Sequence, residues 1–329
     1  MKGGRSYGEG LYGMAIDSSC KLNDHQTLCD LLKHEDIEAI ELFNYDGVGK
    51  IVDSKDFKKY VNHLDSYIAK YFKSYMVGFD KVKFFEEIKS IKIIFDIFGK
   101  DTAKYTTHLE LEFDRFKFIG CLIKSKNGKT MYIVFSKKCE NTIENMCFND
   151  TDFTKLNKDV LKILVKMQTK NFAHYDIKPD NIISCSQPIK MFKLIDWGLA
   201  GKITGKTFQY ANPLCNTPLT FYIGGFPAFM SVLGLNYYTW YLKREFWNSD
   251  IFKELYGLLI SEFYEIVNLK LSSDKLIEKY GQKLDVIAFG MSLAIIIFYN
   301  DLKWKKYKDY IIKLVSFKGF KNAKEALDF

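Results

Sequence analysis

The run His174-Tyr175-Asp176-Ile177-Lys178-Pro179-Asp180-Asn181, followed downstream by Asp196-Trp197-Gly198, gathers carboxylates, an amide and a lysine into two short polar segments. Leading into it, Val160, Ile163, Leu164 and Met167 recur at helical spacing within 156–171, so the first segment occupies a loop that follows a helix. Taken singly, Asp and Asn are ordinary turn and capping residues. Two spaced motifs in register are a different matter, because turn preference alone gives no reason for the second to accompany the first.

Phosphoryl transfer asks little covalent chemistry of a protein and much positioning: a carboxylate to receive the proton of the attacking hydroxyl, and hard oxygen ligands for Mg²⁺ on the phosphates. Asp176, Asn181 and Asp196 are such a set. The two segments resemble the H-R-D-x-K-x-x-N catalytic loop and the D-F-G motif of eukaryotic-type protein kinases, with Tyr175 in place of Arg and Trp197 in place of Phe. Lysine at 178 resembles the serine/threonine branch. The resemblance implies ATP and Mg²⁺ as cofactors, Asp176 as catalytic base, Lys178 on the γ-phosphate, and Asn181 and Asp196 as metal ligands.

Working toward the N-terminus, Gly8-Glu9-Gly10-Leu11-Tyr12-Gly13 is a G-x-G-x-x-G. Alone it is a weak signal, since glycines collect wherever backbone takes positive φ. Its place ahead of everything else resembles the kinase Gly-rich loop, which makes Gly8, Gly10 and Gly13 candidate phosphate-covering positions. The ATP-anchoring lysine has two candidates, Lys50 in Val48-Gly49-Lys50-Ile51 and Lys70 in Tyr67-Ile68-Ala69-Lys70. Lys70 is preferred. Its strand, expected over 66–71, resembles V-A-I-K, and an amphipathic helix follows over 80–98 with Phe84, Ile88, Ile91 and Phe95 at helical spacing. On that helix Glu87 has Phe84 at i−3 and Ile91 at i+4 and faces inward, whereas Glu86 faces solvent. The ordinary reading, a snorkelling strand lysine and a solvated glutamate, stays open.

Strands are expected over 109–118 and 131–135 around an Asn127-Gly128 turn, and short helices over 27–33 and 57–64. Asp285-Val286-Ile287-Ala288-Phe289-Gly290 is similar to the D-x-W-S-x-G opening of the helix that braces the kinase catalytic loop, with a plain N-cap as the rival role for Asp285. Asn216-Thr217-Pro218 stands where the A-P-E region is expected, without assignment of residues. The expected fold is α+β and bilobal, protein-kinase-like: a small, mostly β N-lobe over 1–136 with an insertion at about 17–65, and a larger, mostly α C-lobe over 137–329 with a helical insertion at about 226–283. Few helices are expected after 299.

Composition narrows the remaining classes. With 329 residues and 47% apolar content the chain can bury a core or two adjoining ones. Seven scattered cysteines, none in a C-x-x-C pair, argue against a disulfide framework or a cysteine zinc site, and five isolated histidines add no helical metal pair. A reducing, cytoplasmic setting is expected. The apolar stretch 286–299 falls short of the ~20 residues that span a bilayer and reads as a buried core helix, so no transmembrane segment is expected. The net charge of +8 includes a lysine-rich end that reads as a solvated face; no nucleic acid partner is expected, only ATP and protein substrates. Abundant Lys, Ile, Phe, Tyr and Asn with five prolines, and the early insertion, resemble the divergent kinases of large nucleocytoplasmic DNA viruses. Two other classes remain: a small-molecule phosphotransferase of the aminoglycoside or choline kinase type, which also has an H-x-D…N loop, and a pseudokinase scaffold, disfavoured because every metal and proton-handling residue is present.

Overall fold

The computed structural model describes residues 8–10, 13–17, 28, 32, 36–61, 63–64, 67–72, 79–139, 141–143, 146–185, 191–197, 200–203, 244–269, 273–300 and 302–329. These form two units, Met1–Cys139 and Glu140–Phe329, set beside an expected division at 136 and 137. The first is β-rich with one long helix and the second is mostly helical, an arrangement compatible with a bilobal kinase-like fold.

The first unit is built on β1 (Gly8–Gly10), β2 (Gly13–Asp17), β3 (Ile37–Phe43), β4 (Gly49–Val52), α1 (Ser54–Val61), β5 (Tyr67–Phe72), α2 (Phe79–Phe98), β6 (Leu111–Phe113), β7 (Phe116–Phe118), β8 (Gly120–Ser125) and β9 (Thr130–Lys137). Seven of these strands make one sheet in the order β1-β2-β5-β9-β8-β3-β4. The early insertion thus lies at the far edge, where β3 pairs antiparallel with β8 (Ile40 opposite Ile123, Leu42 opposite Cys121). Its alternation buries Ile40 and Leu42 on the face that also holds Ile123, Ile133 and Phe135. Helix α2 closes the other face with Phe84, Ile88, Ile91 and Ile94, each buried. Burying one such side chain contributes about 1.5–3 kcal/mol, so these four residues alone fix which face of α2 points inward. The helix comes close at Gly120, where a Cβ would lie 2.6 Å from the carbonyl oxygen of Ile133 and 3.0 Å from the Phe84 ring.

The strand expected over 109–118 is instead a hairpin, β6 and β7, broken at Asp114 and Arg115. Both take positive φ (46° and 61°), the signature of a two-residue type I′ turn whose twist matches the paired strands. Neither residue is glycine or asparagine, so the usual signal for such a turn is missing. The Asn127-Gly128 turn does join two strands, β8 and β9. Of the helix expected over 27–33, Leu28 and Leu32 are helical and buried, and the rest lies outside the described residues.

The second unit opens with β10 (Asn141–Thr142) and α3 (Asp150–Thr169), whose N-cap Asn149 accepts a hydrogen bond from the Asp152 amide at 2.9 Å. Next come β11 (Phe172–Ala173), β12 (Ile182–Cys185), β13 (Met191–Leu194) and β14 (Gly201–Lys202). The helices α4 (Asp250–Asn268), α5 (Ser273–Tyr280), α6 (Leu284–Tyr299), α7 (Trp304–Val315) and α8 (Ala323–Asp328) complete it. Of the expected helical insertion, 226–243 and 270–272 lie outside the described residues, and the short helix Arg244–Asn248, α4, α5 and the 3₁₀ turn Gly281–Lys283 form most of the rest. Helix α6 is buried on nearly every side, and Gly290 lets α7 approach, since a Cβ there would meet Leu314 at 2.8 Å and Val315 at 2.9 Å. Among the described residues one run, Glu278–Tyr299, is long and apolar enough to cross a membrane, and 83% of its most apolar window is buried within the protein. Cys139 and Cys185 are each disulfide-bonded, a departure from the expectation of a chain without a disulfide framework, while Cys121 is a buried free thiol and Cys147 an exposed one.

Candidate active site

In the first unit, Gly10 pairs with Gly13 across the β1–β2 turn, whose residues Leu11 and Tyr12 lie outside the described residues. Strand β2 pairs with β5 so that Ala15 sits opposite Lys70, which places the lysine on the strand next to the glycine-rich hairpin. The Lys70 ammonium (Nζ) lies 3.0 Å from Glu87 Oε2 on α2. Glu87 is buried, because the turn that holds Phe84 inside also turns Glu87 inside. Glu86 pairs instead with Lys83 on the exposed side of the helix at 2.6 Å. The other candidate lysine, Lys50, belongs to edge strand β4 and pairs with the exposed Asp114 at 2.8 Å.

In the second unit the chemistry-bearing residues converge through a hairpin. The loop after β11 runs to a short 3₁₀ turn, Pro179–Asn181, and passes into β12; β13 then returns antiparallel, with Ile182 opposite Leu194. The Ile195 amide donates to the Asn181 carbonyl at 3.0 Å, so the hairpin base fixes Asp196 close in the chain path to Asn181. That explains the sequence spacing between the two motifs. Within the loop, Lys178 Nζ donates to Asp176 Oδ2 at 2.9 Å, and Asn181 Nδ2 donates to the same oxygen at 2.7 Å and to the Asp176 carbonyl at 2.9 Å. Burial works against the Lys178 charge, but the carboxylates of Asp176, Asp196 and Asp180 outweigh it and hold the ammonium above its ordinary pKa. Lys178 is therefore a cation at neutral pH.

Two residues of this region take left-handed backbone, Tyr175 (φ 61°) and Asp196 (φ 58°), a conformation that costs a non-glycine residue about 1–3 kcal/mol and persists only where neighbours enforce it. The enforcing group at Tyr175 is Asp285, the second residue of α6. Its Oδ2 accepts from the His174 amide at 2.7 Å and its Oδ1 from the Tyr175 amide at 2.9 Å. Asp285 therefore serves the loop rather than capping its own helix, which has no side-chain cap. Burial raises the Asp285 pKa, while His174 and the two amides favour its charged form. At Asp196 the neighbouring restraints are the Ile195 tie and the buried Trp197, whose Nε1 donates to the Leu194 carbonyl at 3.1 Å. The His174 ring stacks obliquely on Trp197, with centroids 4.7 Å apart, and its Nε2 lies 3.2 Å from the Ile195 carbonyl oxygen. Gly198 and the Asn216-Thr217-Pro218 segment lie outside the described residues.

For a divalent cation the donor chemistry fits. Asn181 directs its amide nitrogen to Asp176, which leaves its amide oxygen as an acceptor, and the exposed Asp196 carboxylate has no hydrogen bond or ion pair among the described residues. Both are hard oxygen ligands of the type Mg²⁺ takes. Asp285 is the residue whose role the sequence left divided between cap and brace, and the signal that pointed to it is the likeness of 285–290 to the D-x-W-S-x-G opening.

No family model matches the chain. It is similar to a probable serine/threonine-protein kinase of Dictyostelium discoideum, 30% identical over 107 residues that cover 30% of this chain and 15% of that protein. It is likewise similar to death-associated protein kinase 2 of mouse and of human, 30% identical over 105 residues covering 31% of this chain and 25% of theirs. The chain thus spans a quarter or less of the length of these relatives. The likeness supports a kinase-like protein.

Proposed function

We propose that this chain transfers the γ-phosphoryl group of ATP, with Mg²⁺, to serine or threonine hydroxyls of protein substrates. The observation that carries the reading is the arrangement at Asp176: a carboxylate held by Lys178 and Asn181, with the Asn181 carbonyl accepting from the amide of Ile195, the residue before Asp196. In this reaction the hydroxyl oxygen bonds to the γ-phosphorus, the bond to the β,γ-bridging oxygen breaks, and ADP leaves. Asp176 accepts the hydroxyl proton, and Lys178 faces charge on the transferring group. Mg²⁺, when bound through Asn181 and Asp196, supplies charge neutralisation on the phosphates. Lys70, oriented by Glu87, takes the α- and β-phosphates, beneath the backbone of Gly8, Gly10 and Gly13.

Lys178-Pro179, two residues after Asp176, resembles the serine/threonine branch and favours a protein substrate over the small-molecule phosphotransferase class. The likeness to kinases of large DNA viruses rests on composition and on the early insertion, and a cytoplasmic setting belongs with it. The test is transfer of radiolabelled phosphate from ATP to a panel of generic proteins and, in parallel, to aminoglycosides and choline. Label on protein serine or threonine, lost in Asp176→Asn, supports the proposal; label only on the small molecules, or equal labelling by the variant, overturns it.

A further inference from the structure

The early insertion does more than widen the sheet. Its β3–β4 turn reaches α2, the helix that carries Glu87, and meets it on both sides of that residue. On the N-terminal side Phe43, the last residue of β3, packs edge-on against Phe84 and Phe85, with ring centroids 5.6 and 5.5 Å apart. On the C-terminal side Tyr45 stacks on Phe95 at 5.2 Å with the rings 15° from parallel, and Asp46 forms an ion pair with Lys92. Phe95 lies eight residues beyond Glu87, about 12 Å along the helix axis, so the contacts bracket the glutamate over more than three turns.

The turn that presents these groups is itself fixed. Asn44 Oδ1 accepts from the amides of Asp46 at 3.0 Å and Val48 at 2.9 Å, and the Asn44 amide donates to the Val48 carbonyl at 3.1 Å. An asparagine that binds backbone two residues on is a self-made turn, and it restricts Tyr45 and Asp46 before they meet the helix. Strand β3 is in turn paired along its length with β8. A sheet edge fixed by strand pairing therefore holds the helix whose Glu87 meets Lys70.

We propose that the β3–β4 insertion is a brace in cis for α2, with Tyr45 and Asp46 as positioning residues that keep Glu87 against Lys70. This rests on the reading of Lys70 and Glu87 as the nucleotide-anchoring pair. Without the brace, the apolar face still decides which side of α2 turns inward but restrains its position along the axis less; with it, the glutamate is presented in one place and the lysine is ordered before ATP arrives.

The test compares full-length wild type with Tyr45→Ala, Tyr45→Phe, Asp46→Lys, Lys92→Asp and the Asp46→Lys/Lys92→Asp double swap. Amide hydrogen exchange over 84–95 reads the helix directly, without reliance on activity. Tyr45→Ala and the single charge variants are expected to exchange about tenfold faster there, while Tyr45→Phe, which keeps the stack, and the double swap, which restores the pair, match wild type. Kinetics then separate positioning from bulk stability. The Tyr45→Ala loss in kcat/KM for ATP should vanish in a Glu87→Gln background, since the brace acts only through that glutamate. Unchanged exchange in both Tyr45→Ala and Asp46→Lys overturns the proposal, as does an equal kinetic loss in both backgrounds. If Tyr45→Ala does not fold, the exposed Asp46–Lys92 swap series decides alone. Absence of phosphoryl transfer in wild type overturns the kinase reading instead, and the exchange data still judge the brace.

Discussion

Asp285 and Tyr175 are joined by a 2.9 Å hydrogen bond from the Tyr175 amide to Asp285 Oδ1, and that bond holds the residue before Asp176 in left-handed backbone. The carboxylate is buried and its second oxygen takes the His174 amide. Removing it strands two buried N–H groups beside a backbone conformation that no longer has a reason to persist. Asp285→Ala is therefore expected to lower stability by about 2–3 kcal/mol, read as a shift in the urea midpoint without change in slope. A shift below half a kcal/mol, on the order of a surface substitution, would show that the loop is held by other means.

Asp196→Ala should leave the fold intact and lower phosphoryl transfer by about three orders of magnitude, because an exposed carboxylate contributes little to packing but several kcal/mol through a bound metal. Near-normal turnover in a folded Asp196→Ala protein would remove the kinase assignment.

Lys70→Met should lower kcat/KM by about a hundredfold, the loss typical of one preorganised donor aimed at developing charge. Lys50→Met removes only a surface pair with Asp114, a contact of about 0–1 kcal/mol, and should leave the rate within about threefold. If the Lys50 variant is the inactive one, the assignment of β5 is wrong.

A pH dependence follows from His174. The ring is fully buried, and burial depresses its pKa, against the opposing pull of Asp285, Asp176 and Asp196. The folded protein thus keeps this histidine neutral where the unfolded chain, with a reference pKa of about 6.5, takes up a proton. Stability due to this group is complete above that pH and falls as pH drops below it, by at most about 1.4 kcal/mol per unit. Asp285, whose pKa is raised, works in the opposite direction once pH reaches its own range. Denaturant melts from pH 7.5 to 5 of wild type and His174→Gln should therefore diverge below pH 6.5, the variant losing less; parallel curves would show that His174 is protonated in the fold.

Much of this was legible in the sequence for one reason: chemistry that depends on spacing survives as spacing. Glu87 could be told from Glu86 because helical period assigns a face, and the same period places Phe84 and Ile91 inside. The hairpin that brings Asp196 to Asn181 left its trace as a fixed interval. What was not legible depends on contacts between distant segments. Nothing in Tyr45-Asp46 marks it as a partner of Phe95 and Lys92, and the pairing of β3 with β8 joins segments far apart in the sequence. The Asp114-Arg115 turn was hidden because it lacks the glycine or asparagine that marks such turns, its positive φ being imposed by the pairing of β6 with β7.

The last prediction concerns regulation and rests on Tyr175. In kinases with arginine before the catalytic aspartate, that guanidinium pairs with a phosphate on the activation segment and orders it. Here the position is a phenol, almost wholly buried, and burial together with Asp285 pushes its pKa up, so it is neutral at every physiological pH. It offers an arriving phosphate neither charge nor access. The enzyme should therefore not need phosphorylation of that segment, and changing Thr204, Thr207 and Thr217 to alanine should alter the initial rate by less than about twofold; these threonines lie outside the described residues. Lysine is the rival partner: Lys202 follows Gly201 on β14, exposed, and Lys206, outside the described residues, is near it in sequence. An ammonium binds phosphate as a flexible point charge rather than through a planar fork, so such a contact would order the segment less. Treating freshly purified enzyme with a phosphatase and then measuring initial rates separates the two. Unchanged rates are expected, and a drop of about tenfold that preincubation with ATP restores would show that phosphorylation is required and that a lysine has taken the missing arginine's place.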